Sequence, residues 1–173
     1  MKTPLYASWR DVPPETWPWP HFRPSELACR GTGQLMVDSE AMDKLEALRR
    51  LIDAPMVINS GYRSPVHNRA VQGAPRSKHM EGIAFDVRME DHDPHRFIAA
   101  AREVGFTGIG TYPHMGFVHI DTGPERSWGD PFPPDDDEDH APPPPALPRK
   151  ITLAPPPKAK ALPRALSKFW PRR

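Results

Sequence analysis

Residues 77–86 read SKHMEGIAFD, and far downstream residues 117–128 read FVHIDTGPERSW. His79 lies in a loop leading into Ile83–Arg88, a run that alternates as a strand does. Asp86 follows on that strand, and His119 falls on a second predicted strand, Phe117–Asp121. Residues i and i+2 of a strand share a face, so Ala84 and Asp86 point one way and Phe85 and Val87 the other. An Asp between Phe85 and Val87 is costly to bury unpaired, and so is a His between Val118 and Ile120. A metal or a buried counter-charge relieves both. Two imidazoles and one carboxylate from neighbouring strands suit one tetrahedral zinc ion with a position left open. Asp121 shares the face of His119, where it either orients that imidazole or faces the open position itself. Taken singly, each residue has a plainer role: His79 as a loop histidine, Asp86 paired with Arg63 or Arg88, His119 satisfied within a core.

Outward from these stretches the pattern is mixed. Asp38–Asp53 predicts a helix, with Met42, Leu45, Leu48 and Ile52 on its buried stripe and Pro55 beyond its end. Asp93–Val104 predicts a second, capped by Asp93, opened by Pro94 and closed by Gly105, with Phe97, Ile98, Ala101 and Val104 facing inward. Ser25–Cys29 and Val66–Val71 read as short helical turns, Met56–Asn59 as a strand, and Gly73–Lys78 as loop. Gly108–Tyr112 and Phe117–Asp121 read as strands joined by Pro113–Gly116. The expected class is α+β: a small, mostly antiparallel sheet with helices packed on one side.

The chain divides by composition. Residues 1–24 form a Pro/Trp-rich N-terminal arm (Trp9, Trp17, Trp19), residues 25–130 the domain with the site, and residues 131–173 a tail with 13 of the 25 prolines. The tail carries 8 basic and 5 acidic residues, leaving 15 basic and 17 acidic in residues 1–130. A body with that balance and no aromatic-basic stripe speaks against a nucleic-acid partner. A single cysteine, Cys29, excludes an intrachain disulfide framework and a cysteine-rich metal knuckle. No apolar run is long enough to span a membrane, and the first 20 residues lack the apolar core of a secretory signal. The expectation is synthesis in the cytoplasm and action elsewhere after release. The tail reads as disordered, and its basic end, ALPRALSKFWPRR, suits weak contact with an anionic membrane or envelope; a soluble tail is the alternative. A monomer is expected from size and surface polarity.

Ser77, His79, Gly82, Ala84 and Asp86 together meet the signature Ser-x-His-x-x-Gly-x-Ala-x-Asp. The chain thereby resembles the zinc peptidoglycan peptidases: D-alanyl-D-alanine carboxypeptidases of the VanY and VanX types and L-alanyl-D-glutamate endopeptidases, with a metal site shared by the hedgehog domain. FVHIDTGPERSW is similar to the end of the murein endopeptidase K type. The resemblance, over about residues 20–130, implies a hedgehog-like fold, peptidoglycan as partner, one zinc ion, and His79, Asp86 and His119 as its ligands. It implies that Arg63, in SGYRS, binds a substrate carboxylate or polarises the scissile carbonyl. Ser77 and Tyr112 are further candidates to line the groove.

The resemblance leaves the general base open. Many relatives have an acid three residues before the last ligand, where this chain has Gly116, or a His two before it, where it has Phe117. His114 and Asp121 are the candidates, ahead of Glu81. The function implied is hydrolysis of a stem-peptide or cross-link bond, by an endopeptidase or a phage endolysin. The alternatives are a D,D-carboxypeptidase and a non-catalytic, zinc-stabilised wall-binding or virion protein.

Overall fold

The computed structural model describes residues 4–134. In chain order the elements are β1 (Leu5–Tyr6), α1 (Pro24–Leu27), β2 (Leu35–Met36), α2 (Ser39–Ile52), β3 (Ile58–Ser60), α3 (Pro65–Ala70), β4 (Ala84–Arg88), α4 (Pro94–Glu103), β5 (Gly108–Tyr112), β6 (Phe117–Asp121) and β7 (Arg126–Gly129). The expected disordered, membrane-touching tail lies outside the described residues beyond Pro134.

Local chemistry sets the helix ends. The Asp38 carboxylate accepts from the Ala41 amide at 3.1 Å and opens α2. Asp53, in the left-handed region at φ 48°, closes it before Pro55. Ala41, Met42, Leu45 and Leu48 are fully buried along one face. Asp93 caps α4 by accepting from the His95 and Arg96 amides at 2.8 and 3.1 Å. Phe97, Ala100 and Ala101 form its buried face, while Ile98 and Val104 are only partly covered. Ala100 thus joins the expected inward face, while Ile98 and Val104 pack against the core from its margin.

Five strands form one sheet in the order β3-β4-β6-β5-β7. The first three pairings are antiparallel, and β7 runs parallel to β5 at the edge. Phe85 and Val87 on β4 face the same core as Val118 and Ile120 on β6, Ile109 on β5, and the apolar stripes of α2 and α4. The α+β expectation holds, with one strand more than foreseen. β7 reads RSWG, half exposed and without apolar alternation, so nothing in its residue types announces a strand. The two-residue pair β1/β2 is too short to leave a pattern.

The other face of the sheet carries polar groups. Asp86 sits directly across from His119, and Ala84 across from Asp121. On β5, Gly110 is opposite His119 and Gly108 opposite Asp121. A Cβ on Gly110 would stand 2.5 Å from the Trp128 ring, and one on Gly108 would collide with the Asp121 carboxylate. The glycines of GIGT are therefore the space these side chains occupy.

Residues 4–24 are held against the body. Val12, Trp19 and Phe22 join the core. Trp19 donates its indole N–H to Asp43 of α2 at 2.8 Å, and Trp17 donates to the Phe22 carbonyl at 2.7 Å. His21 meets Glu46 of α2 at 2.6 Å. Trp19→Ala removes both the ring and the partner of Asp43. It should lower the unfolding free energy by about 3–5 kcal/mol in urea titration and open new cleavage sites between residues 4 and 24 in limited proteolysis.

Candidate metal centre

The site is assembled from the backbone outward. Ser77 precedes a single 3-10 turn, Lys78–Glu81, which Gly82 ends at φ 71°. That turn points His79 back under the loop after β3, where its Nδ1–H donates to the Gly61 carbonyl at 2.7 Å. A carbonyl only accepts, so Nδ1 carries the proton and Nε2 keeps its lone pair. His119 is oriented from the opposite side: its Nε2–H donates to Asp121 Oδ2 at 2.9 Å, leaving the Nδ1 lone pair free. Both free nitrogens turn toward Asp86. His79 Nε2 stands 3.2 Å from Asp86 Oδ1 and 3.2 Å from His119 Nδ1, and His119 Nδ1 stands 2.8 Å from Asp86 Oδ1.

Three acceptors thus converge in a buried space, each residue less than a tenth exposed. Between them they hold no proton to share once the outer hydrogen bonds have fixed the tautomers. A cation resolves the conflict. Ligands about 2.0–2.1 Å from a tetrahedral zinc stand roughly 3.3 Å apart; two of the three separations here are 3.2 Å and the third, His119 to Asp86, is 2.8 Å. Electrostatics agree. Burial alone would raise the Asp86 carboxyl, but His119 and His79 outweigh it and hold Asp86 well below the usual carboxylate range. Burial alone would lower His119, yet Asp121 and Asp86 outweigh it and raise the imidazole. Without a metal, the centre draws in positive charge as a proton.

Outer groups hold the donors in place. Asp121 is fully buried. Its Oδ2 also accepts from Arg126 Nη2 at 2.6 Å, and its Oδ1 accepts from Arg126 Nη1 at 3.1 Å and the Gly123 amide at 2.8 Å. Trp128 packs on His119 with ring centroids 5.2 Å apart and donates its indole N–H to the Tyr112 hydroxyl at 2.8 Å. Arg63 donates to Ser60 Oγ at 3.1 Å and lies 3.5 Å from Asp86 Oδ2, whereas Arg88 pairs with Glu90 instead.

The centre opens into a cleft of 1140 Å³. Arg63, Ser77, His79, Asp86, Tyr112 and His119, all singled out in the sequence, line it together. The two candidate bases do not. His114 is exposed on the β5–β6 turn and is not part of the cleft wall. Asp121 is sealed behind His119 with both oxygens occupied, so it positions that imidazole and does not face the open position. Glu81 is exposed and paired with Lys78. Arg126 and Trp128 lay inside a quoted motif without a role; the signal for Arg126 was the need of a buried Asp121 for a counter-charge.

The chain belongs to the Peptidase M15 family, whose model matches residues 20–121 and so includes all three donors. It is 35% identical over 99 residues to the peptidoglycan L,D-endopeptidase MepK of Escherichia coli strain K12, covering 53% of this chain and 54% of that protein. It is 37% identical over 94 residues to the zinc D-Ala-D-Ala carboxypeptidase of Streptomyces albus G, covering 52% of this chain and 37% of that one. A probable MepK of Haemophilus influenzae is 35% identical over 83 residues, 45% of each chain. The chain spans about half the length, or less, of these curated relatives.

Asp121→Asn tests the support behind His119. The Asn variant should bind Zn2+ about 10–100-fold more weakly in chelator competition. Burial raises the Asp121 carboxyl, but His119, Arg126 and the Gly123 amide outweigh it and bring it to about 2. Its unfolded value is about 3.9. Asp121 therefore stabilises the metal-free fold above that pH, and the contribution is lost as pH falls toward about 2. Urea midpoints of the metal-free wild type should drop across this window, and those of Asp121→Asn should drop less.

Proposed function

We propose that the chain is a zinc-dependent peptidase that hydrolyses a peptide bond in the stem peptide or cross-link of bacterial peptidoglycan. One observation carries this reading: three lone-pair donors, from His79, Asp86 and His119, lie within 4.8 Å of one another at the floor of an open cleft. The family membership and the names of the relatives point the same way.

Zinc held by these residues would supply Lewis acidity and an activated water at neutral pH. The chain supplies the rest. Arg63, beside the triad, offers a fork matched to a substrate carboxylate or to oxygen on which negative charge develops. Tyr112 accepts from Trp128, so its own hydroxyl hydrogen is free to donate into the cleft. Ser77 lines the same space. Arg126, through Asp121, keeps His119 in one tautomer and one orientation.

A second reading has one observation in its favour. Among the described residues, the only carboxylate lining the cleft is Asp86, so the base expected of a hydrolase is not a neighbouring acid. A zinc-stabilised wall binder would look the same. Incubation with purified sacculi, with Zn2+ or with chelator, separates the two. Mass spectrometry should find new peptide termini with Zn2+, none with chelator, and none with His119→Ala. One equivalent of bound zinc with no released fragment would establish the binder. Arg63→Gln should reduce kcat/KM by about 10²-fold in the same assay.

A further inference from the structure

Asn68 lies on α3 and is buried. Its Nδ2 donates to the Gly73 and Ala74 carbonyls at 3.3 and 3.0 Å, and its own main-chain carbonyl accepts from the Gly73 amide at 2.8 Å. Carbonyls only accept, so the first two contacts fix which end of the carboxamide is the nitrogen. The other end, Oδ1, is buried and has no donor among the described residues. A buried acceptor in that state is uncommon and costly, so it calls for a reason.

Gly73 points to one. Its φ lies outside the left-handed region, so the backbone does not demand glycine there. Space does. A Cβ would collide with Asn68 Oδ1 and would stand 3.1 Å from Arg63 Nη1. The unpartnered acceptor and the guanidinium thus approach the same bare Cα. Arg63 is held elsewhere by its backbone N–H, which donates to the His79 carbonyl at 3.1 Å, and by Nη2, which donates to Ser60 Oγ at 3.1 Å. The contacts of the guanidinium with Ser60 and Asp86 both run through Nη2. Nη1 lies on the side of Gly73, where residues 71–74 form part of the cleft wall.

We propose that Asn68 is a positioning residue for Arg63. Its carboxamide nitrogen pins wall residues Gly73 and Ala74, and its Oδ1 is the acceptor that Nη1–H meets when the guanidinium is aimed into the cleft. A guanidinium recognises an anion through the plane of its fork. One anchor at Nη2 leaves that plane free to turn, and a second on the Nη1 side stops it. This rests on the peptidase reading and deepens it: Arg63 acts on substrate, and Asn68 acts only through Arg63.

The test is a double-mutant cycle in the full chain loaded with Zn2+, read by peptide release from purified sacculi. Asn68→Ala should lower kcat/KM about tenfold when Arg63 is present. In the Arg63→Gln background it should change kcat/KM by less than about twofold, because nothing is left to position. Zn2+ affinity in chelator competition should stay the same throughout. Gly73→Ala displaces Oδ1 without removing it and should reproduce the pattern, and it decides the matter where Asn68→Ala fails to fold. An equal loss in both backgrounds, as from a merely structural asparagine, would overturn the proposal, and so would no loss. A second readout needs no activity: nitrogen NMR of the Arg63 guanidinium, its signals assigned by their absence in Arg63→Gln. The Nη signals should be resolved in the wild type and averaged by faster rotation in either variant. Averaged signals in the wild type, or signals unchanged in the variants, would overturn the positioning role. If the wild type releases no peptide, the peptidase reading fails and the NMR comparison alone decides.

Discussion

Three hydrogen-bond acceptors aimed at one another inside a protein repel, and much of this fold exists to aim them. Asp86 and His119 are cross-strand partners in the middle of the sheet, so the β4–β6 register sets their separation. A slip of one residue would carry both to the apolar face and bring Phe85 or Val118 to the cleft. The tautomers are fixed from behind, by the Gly61 carbonyl for His79 and by Asp121 for His119. Each of those groups is held in turn. Arg126 clamps Asp121, and β5 gives up side chains at Gly108 and Gly110 to make room for Asp121 and Trp128. A cation at the centre turns this mutual repulsion into attraction, so metal binding and folding stability are linked through the same residues.

The parts of this design that recur by local rules could be read in the sequence. Helices α2 and α4 begin at Asp38 and Asp93 because an aspartate there caps free amides, and their apolar spacing needs no tertiary knowledge. β4 and β6 alternate cleanly, which is why Asp86 and His119 stood out as polar intruders on buried strands. What escaped depends on partners distant in sequence. β7 forms because β5 offers an edge, and Arg126 is drawn to Asp121, not because RSWG favours a strand. The placement of Asp121 has the same origin. Parity along β6 places Asp121 on the face of His119, but cannot say that Arg126 and Gly123 occupy its oxygens.

The charge pattern gives a further case of a total hiding its distribution. Residues 1–130 carry slightly more acid than base, and on that balance a polyanionic partner looks unfavourable. The acids lie elsewhere: Asp38 and Asp93 at helix starts, Glu40 and Glu46 along α2, Asp121 behind the metal donors. The cleft is left with four cations against Asp86, itself committed to the centre. Field lines concentrate in such a concavity, so what the cleft attracts is set by its wall and not by net charge.

Among the described residues Asp86 is the only acid in that wall, which bears on chemistry as well as on binding. A carboxylate beside the centre would compete with an anionic substrate for the same cations and would raise the cost of bringing it in. With Asp86 bound into the donor set, the wall presents hydroxyls from Ser77 and Tyr112 and cations at both ends. Such a surface is electrostatically complementary to an anion. Of the two candidate bases, His114 is exposed outside the cleft wall and Asp121 is sealed behind His119. The same feature that leaves the base unassigned thus gives the cleft wall its excess of cations over carboxylates.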